Sequence, residues 1–312
     1  MTTGWLVIIN PNAGKGKGKK DSSRILSLLK KAGFTFTPKF TERRGHAIVH
    51  TKQGIEEGFR MIIIVGGDGT LNEVVNGIMT NGACPSEDIT IGLIPVGTGN
   101  DWGRMFGIPM NYDSAISIIT KNKTMLHDIG HVRYFEETRE KERYFINMAG
   151  LGFQSAVVKR SNHQKEKGRG GKLIYLYSLL KTLITYRNVK SFIKIDNEEI
   201  EADIFSVSIG NGRYSGSGMR QNPEAIPDDG LFDISVINNM GKVEVVRSIG
   251  LLYDGTILSH PKIDGYRGKT IEISSETPVN VDADGETLGH TPACFNIIPR
   301  GINIIYHTRV TC

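Results

Sequence analysis

The sequence predicts an α/β protein in two parts: an N-terminal open α/β domain followed by a C-terminal antiparallel β-sandwich domain. Three observations carry this reading. Short β-branched runs at Trp5–Ile9, Met61–Val65 and Ile89–Ile94 lack polar alternation, as strands buried on both faces should. Each run feeds a glycine-containing loop, at residues 10–18, 66–70 and 95–101, and then a helical pattern. From about residue 131 the chain changes to short strand-like runs separated by Gly, Asp and Pro turns. The boundary therefore falls at residue 130: one domain spans 1–130, a β-rich domain spans 131–298, and 299–312 are expected to rejoin the first.

Composition sets outer limits. With 312 residues, 39% hydrophobic and 23% charged, the chain suits a globular protein with a substantial core. A net charge of +5 is compatible with an anionic substrate, a nucleic acid or an acidic membrane surface, and selects none of them. Cys84, Cys294 and Cys312 are odd in number and far apart, which supports neither a zinc site nor a disulfide framework and fits a reducing cytoplasm. No signal-peptide pattern precedes Trp5–Ile9, and no run reaches the ~18–20 apolar residues of a membrane span.

Taken in order, the first strand leads into Asn10-Pro11-Asn12-Ala13-Gly14-Lys15-Gly16-Lys17-Gly18. The helix after it turns Ile25, Leu26, Leu28 and Leu29 inward, starting near Asp21 or Ser22 and ending before Gly33. No Gly-Lys-Ser/Thr closes this loop, so it is not a P-loop. Its lysines either hold phosphates or form a solvated run. Phe34–Phe40 alternates as a second strand and passes through Thr41–Ala47 to a helix ending at Glu57.

The run Met61–Met79 is the centre of the chain. Its strand turns at Gly66-Gly67-Asp68-Gly69-Thr70 into a helix with Leu71, Val74, Val75 and Ile78 on one face and Thr70 as N-cap. Glycines let a ligand approach the backbone, and a helix N-terminus favours an anion. Asp68 would repel a bare phosphate, so the pattern suggests a magnesium-bound nucleotide. The plainer alternative is a turn that uses glycine for geometry alone. Ile89–Ile94 then runs into Pro95-Val96-Gly97-Thr98-Gly99-Asn100-Asp101, Asp113 caps the next helix, and Met125–Val132 forms a strand containing Asp128. Three such loops at the carboxyl ends of parallel strands lie on the edge where open α/β sheets bind ligands.

In the second half, Tyr144–Met148, Ser191–Ile195, Ile204–Ile209, Phe232–Ile237, Thr270–Ser274 and Phe295–Ile298 read as strands. Lys159–Lys172 carries six Lys/Arg against Glu166 alone and precedes an apolar, tyrosine-containing helix. That suits docking on an anionic membrane. A solvated loop before a core helix is the other reading. The basic residues are not interleaved with base-stacking aromatics, which argues against nucleic acid.

Taken together, the motifs resemble the diacylglycerol kinase catalytic-domain superfamily, soluble bacterial lipid kinases related to sphingosine and ceramide kinases. The matching residues are Asn10-Pro11-x-Ala13-Gly14, Gly66-Gly67-Asp68-Gly69-Thr70-x-Asn72-Glu73, Pro95-x-Gly97-Thr98-Gly99-Asn100-Asp101, Gly150-Leu151-Gly152-Phe153, Gly210-Asn211-Gly212, Pro223-x-Ala225-x-x-Asp228-Asp229-Gly230-x-x-Asp233 and Asp284-Gly285-Glu286. They run in the family's order over nearly the whole chain. The resemblance implies a NAD kinase/diacylglycerol kinase-like nucleotide domain, a β-sandwich that binds the lipid acceptor, and an active site in the cleft between them. It implies ATP contacts at Asn10, Pro11, Asn12, Ala13, Gly14, Thr41, Gly66, Gly67, Asp68, Gly69, Thr70, Leu71, Asn72 and Thr98. It places a general base in the Asp284-Gly285-Glu286 turn, Glu286 first and Asp284 second, with Asp68 serving the catalytic magnesium. Asp101 and Asp128 are candidates for the same acidic network. A structural Mg2+ would take the Asp229 carboxylate and the carbonyls of Ile226 and Leu231.

The expected activity is MgATP-dependent phosphorylation of a lipid hydroxyl at a membrane surface, diacylglycerol to phosphatidic acid. Sphingoid bases and phosphatidylglycerol stay open as acceptors, and a homodimer is allowed. One departure stands out: Ser215-Gly216-Ser217-Gly218 replaces a stretch that the family usually fills with glycine. A NAD kinase shares the central Gly-Gly-Asp-Gly-Thr core but not the Pro-Val-Gly-Thr-Gly-Asn-Asp loop. A nucleotide-regulated binding protein without turnover is the reading from a different class.

Overall fold

In the computed structural model, which describes residues 4–97, 99–166 and 172–308, the chain divides into two units: Met1–Ile129 with Pro299–Cys312, and Gly130–Ile298. The first unit alternates strand and helix. Its elements are β1 (Trp5–Ile9), α1 (Ala13–Lys31), β2 (Phe36–Phe40), α2 (His46–Glu56), β3 (Met61–Gly66), α3 (Asp68–Met79), β4 (Thr90–Pro95), α4 (Asp101–Met105) and α5 (Tyr112–Lys121). β5 (Thr124–Glu136) then carries the chain into the second unit. Leu6–Ile9 and Ile62–Val65 are fully buried, which explains their unbroken apolar runs.

The strands of this unit are parallel in the order β2-β1-β3-β4, with Asn303 and Ile304 from the end of the chain pairing beside β4. Ile9 is level with both Phe40 and Val65, and Gly66 with Pro95, so the carboxyl ends of four strands lie in one row. The chain leaves β1 toward β2 on one side and leaves β3 toward β4 on the other. The point between β1 and β3 is therefore the topological switch point, where α/β sheets open a crevice for ligands.

Three helix starts differ from expectation. α1 begins at Ala13 rather than near Asp21, with a left-handed kink at Gly14, Lys15 and Gly16 (φ 60°, 59° and 86°). The kink separates a first turn at Ala13–Gly16 from the rest of the helix, and the Lys19 amide donates across it to the Pro11 carbonyl at 2.9 Å. α3 begins at Asp68 with Gly67 as N-cap, so Thr70 lies inside the first turn. α5 is capped by Asn111, whose Oδ1 accepts from the Ser114 amide at 3.0 Å, and Asp113 sits within the helix.

The second unit contains β6 (Arg139–Phe145), β7 (Met148–Gly152), α6 (Phe153–Glu166), α7 (Lys172–Thr185), β8 (Val189–Ile195), β9 (Glu198–Gly210), β10 (Tyr214–Ser215), β11 (Met219–Arg220), β12 (Phe232–Asn238), α8 (Lys242–Asp254), β13 (Ile263–Gly268), β14 (Thr270–Ser275), β15 (Asn280–Ala283) and β16 (Glu286–Ile305). Pairing is antiparallel throughout. β9 pairs with β8 along its first half and with β7 and β12 along its second, while β16 pairs first with β15 and then with β14. These two long strands bend the sheet around one core, where Phe145 stacks on Phe232 at 5.7 Å and meets Phe295 edge-on at 6.5 Å. A second cluster, with Phe153, Val157, Leu183, Phe205 and Ile263, packs α6 and α7 onto the sheet.

The expected strand Tyr144–Met148 is two strands. β6 ends at Phe145 and β7 starts at Met148, because the intervening amides bond a carboxylate described below. Among the described residues, no helix is long and apolar enough to cross a membrane. Phe145→Ala should cost about 3–5 kcal/mol of stability by urea denaturation. A loss under about 1 kcal/mol would show that the aromatic stack is not the centre of the second unit.

Candidate functional site

At the carboxyl edge of the first unit the three loops are stitched together by their own polar groups. The Asn10 and Val96 amides donate to Val65 and Gly66 carbonyls at 3.0 and 2.8 Å, so the loops after β1 and β4 both hang on the end of β3. The Asn10 side chain closes the arrangement. Its Oδ1 accepts from the Asn12 amide at 2.9 Å, and its Nδ2 donates to Thr70 Oγ1 at 2.9 Å. The backbones approach so closely that side chains have no room. A Cβ on Gly14 would lie 2.2 Å from the Val96 carbonyl oxygen, and one on Gly97 would lie 2.8 Å from the Gly67 Cα.

Burial separates the candidate nucleotide contacts into two sets. Leu71 and Asn72 are 1% and 0% exposed, Thr70 and Thr41 are buried, and Asn10 is spent on the loop itself. Leu71 packs in the core, and Asn72 Oδ1 accepts from Asn76 Nδ2 at 3.2 Å. Gly66 is buried and offers backbone only. Pro11, Asn12, Ala13, Gly14, Gly67, Asp68 and Gly69 stay partly or fully exposed and form the open floor, mostly as backbone. Thr98 lies outside the described residues. Glu73, which the sequence motif contained without a role, accepts from the Gly45 and Ala47 amides at 2.8 and 3.1 Å and so caps α2.

Two carboxylates converge at this floor. A Cβ built on Gly99 would lie 3.2 Å from Asp68 Oδ2 and 3.5 Å from Asp101 Oδ2, so both oxygens address one small volume beside the loops. Two hard carboxylate oxygens beside the glycine loops supply part of the donor set that a divalent cation takes. The Trp102 amide donates to Asp68 Oδ1 at 3.4 Å, which ties the two loops behind the acids. Behind Trp102 lies fully buried His127. Its Nε2 accepts from Trp102 Nε1 at 3.4 Å and its Nδ1 donates to the Asp128 carbonyl at 2.5 Å. Burial lowers the His127 pKa to about 4, with the bond to Asp128 opposing, so the ring stays neutral. The Asp128 carboxylate accepts from the Arg300 amide at 2.7 Å and is fully buried, which gives it a structural part.

In the second unit, β15 and β16 meet in a two-residue turn at Asp284 and Gly285, both left-handed (φ 47° and 77°), as a type I′ hairpin requires. The Asp284 carboxylate accepts from the Ile146, Asn147 and Met148 amides, each at 3.0 Å. Its lone pairs hold the β6–β7 junction, so its candidacy as base is corrected to a structural role. Glu286, the first residue of β16, is half-buried beside the turn.

The residues expected to hold a structural Mg2+ do not fit that cation as folded. Asp229 Oδ2 bonds the Arg267 guanidinium and Oδ1 accepts from the Leu231 amide at 3.1 Å. Arg267 Nε also lies 3.5 Å from Asp233, so the arginine supplies positive charge to both carboxylates. Ser217, in the serine-bearing departure, takes the left-handed conformation (φ 73°) between Gly216 and Gly218, where glycine costs less. Of Lys159–Lys172, residues 167–171 lie outside the described residues.

Comparison with known proteins gives a concordant picture. Residues 4–132 match the model of the diacylglycerol kinase catalytic domain, and residues 147–306 match that of the YegS C-terminal NAD kinase beta sandwich-like domain. The chain is 30% identical over 298 residues to a diacylglycerol kinase of Staphylococcus carnosus, covering 96% of this chain and 93% of that protein. It is 31% identical over 310 residues to one of Staphylococcus haemolyticus, covering 98% and 90%. The crystal structure of a diacylglycerol kinase from Bacillus anthracis Sterne superposes with a TM-score of 0.72 at 25% identity, covering 100% of both chains. Yeast NADH kinase, at 12% identity and a TM-score of 0.54, shares the fold over 98% of this chain and 84% of its own.

The neutral His127 has a consequence for stability. The unfolded chain binds a proton at this position below about pH 6.5 while the folded one does so only near 4. Its contribution is therefore complete above pH 6.5 and is lost as pH falls toward 4, on the order of 3 kcal/mol in all. His127→Gln should flatten the stability profile between pH 6.5 and 4 in chemical denaturation. Parallel profiles for the two proteins would contradict the buried neutral ring.

Proposed function

Because the chain belongs to the diacylglycerol kinase family, we propose that it is a magnesium-dependent lipid kinase. It would transfer the γ-phosphoryl group of ATP to the free hydroxyl of diacylglycerol, giving phosphatidic acid. The observation that carries this reading is the convergence of Asp68 and Asp101 beside the glycine loops that follow β3 and β4. That is the equipment a metal-nucleotide needs and a purely structural turn does not.

In this reading the backbone of residues 11–14 and 67–69 binds the phosphates through amides that tolerate close approach. Asp68 and Asp101 would hold magnesium, which when bound neutralises charge on the β- and γ-phosphates. Phosphoryl transfer is mainly a matter of position and electrostatics, so the remaining requirement is a group that takes the acceptor's proton. Glu286 serves that purpose, since Asp284 is committed to three amides. The hydroxyl proton passes to Glu286 as its oxygen bonds phosphorus and the bond to the ADP oxygen breaks.

The acceptor lives in a membrane, and α7 offers a surface suited to one. Tyr177, Leu180 and Ile184 are 48%, 44% and 69% exposed at helical spacing, with Lys181 among them. The basic charge of Lys159–Lys172 in the sequence adds attraction to anionic lipid.

Four sets of substitutions test these assignments. Glu286→Gln should lower transfer of label from γ-labelled ATP to diacylglycerol in mixed micelles by at least about a hundredfold, with ATP affinity retained. Asp68→Ala should abolish transfer by weakening magnesium-dependent ATP binding, and Asp284→Ala should show itself first as lost thermal stability. Full activity in Glu286→Gln would remove it as the base. Reversing Lys165, Lys167 and Arg169 to Glu should weaken binding to anionic vesicles by about 1 kcal/mol per residue, more at low salt. Unchanged binding would return that stretch to a solvated loop.

A further inference from the structure

Helix α6 lies along the hairpin that carries Glu286 and holds it through one polar face. Ser155, Lys159 and Asn162 recur at i, i+4 and i+7, the spacing of a single helical stripe. Each reaches the hairpin. Ser155 Oγ lies 2.5 Å from Asp282 Oδ1, Lys159 Nζ donates to Asn280 Oδ1 at 3.0 Å, and Asn162 Nδ2 donates to the Gly285 carbonyl at 3.0 Å. Asn162 Nδ2 also comes within 3.4 Å of Thr287 Oγ1, so this one side chain touches the residues on both sides of Glu286. The far end of the stripe is a polar interior. Asp282 is 2% exposed, and Ser155 Oγ also approaches the Gly150 carbonyl at 2.9 Å. A hydroxyl has one proton and a carbonyl can only accept. Ser155 shares its one proton between the Gly150 carbonyl and Asp282 Oδ1. Burial pushes the Asp282 pKa up to about 7, against the lowering effect of its hydrogen bonds from Ser155 and Gln154.

We propose that the Ser155–Asn162 face of α6 is the positioning device for the general base, with Asn162 fixing the turn on either side of Glu286. This rests on the reading of Glu286 as base. The Asn162 contacts add to the ties within the hairpin itself. The Asp284 staple holds the loop side of the turn, the turn apex at Gly285 has open space where a side chain would be, and backbone pairing stops at the Ala283–Glu286 pair. A carboxylate on the first residue of a strand, next to a two-residue turn, needs such a lateral tie to stay within the narrow geometry of proton transfer.

The test is a double-mutant cycle with a structural readout beside it. Asn162→Ala should lower kcat at least tenfold with KM for ATP unchanged, and should do nothing further in a Glu286→Gln background. Asn162→Asp, similar in size but unable to donate to Gly285, should match it. Asp282→Ala should behave likewise, and Asp282→Asn should recover most of the loss, because its amide oxygen can accept from Ser155 as the carboxyl oxygen does. In parallel, hydrogen exchange across residues 284–288 should quicken in Asn162→Ala. Equal losses in both backgrounds, an unchanged kcat, or unchanged exchange would each overturn the proposal. The exchange readout needs no substrate. Faster exchange in a protein that phosphorylates no lipid would therefore leave α6 as the support of the turn while removing the kinase reading.

Discussion

A parallel sheet forces each connection to cross back over the sheet, so its loops gather in two rows, one at each end of the strands. Here the register makes the carboxyl row level: Ile9 faces Phe40 and Val65, and Gly66 faces Pro95. The rest of the nucleotide face depends on that alignment. Because the strand ends are level, Asn10 reaches Thr70, Gly14 touches Val96, and the Gly67 and Gly97 backbones nearly meet. Only glycine fits at these points. The same close approach that holds the loops together leaves their backbone bare, and a bare backbone at helix starts suits a polyphosphate.

In the second unit, one short stretch from Asp282 to Glu286 holds three carboxyl groups in three environments. Asp282 is sealed among Ser155 and neighbouring groups, and burial pushes its pKa up to about 7. Asp284 accepts three amide protons and shapes a strand junction. Glu286 alone is half-exposed, one residue past a tight turn. Environment, rather than residue type, sets the three carboxyl groups apart. The helix that follows β7 runs beside this hairpin, so a single supersecondary unit both builds the turn and steadies it.

Much of this was legible in the sequence. The buried strands announced themselves because a strand covered on both faces must be apolar without interruption, as Met61–Val65 is. The three loops were legible because glycine at a strand end has few other uses. The division of labour inside the motifs was not. Asn72 and Leu71 sit in the same motif as Asp68 yet are fully buried, and a motif read as a string gives every letter equal standing. Asp284 and Glu286 could not be told apart, since their difference lies in amides from residues 146–148. The pairing of Asp229 with Arg267, 38 positions away, was likewise not legible in the Asp-Asp-Gly turn. The grip of α6 was equally hidden: Asn162 belongs to no motif, and it matters through a carbonyl 123 residues distant.

The central claim is that this fold transfers phosphate to a lipid hydroxyl, and offering the acceptors side by side tests it most directly. Purified protein with γ-labelled ATP and magnesium would meet diacylglycerol, a sphingoid base and phosphatidylglycerol in mixed micelles, and NAD in buffer. Label in diacylglycerol, dependent on magnesium and absent without protein, is the expected result. Label in NAD, or ATP bound with no acceptor phosphorylated, would contradict it.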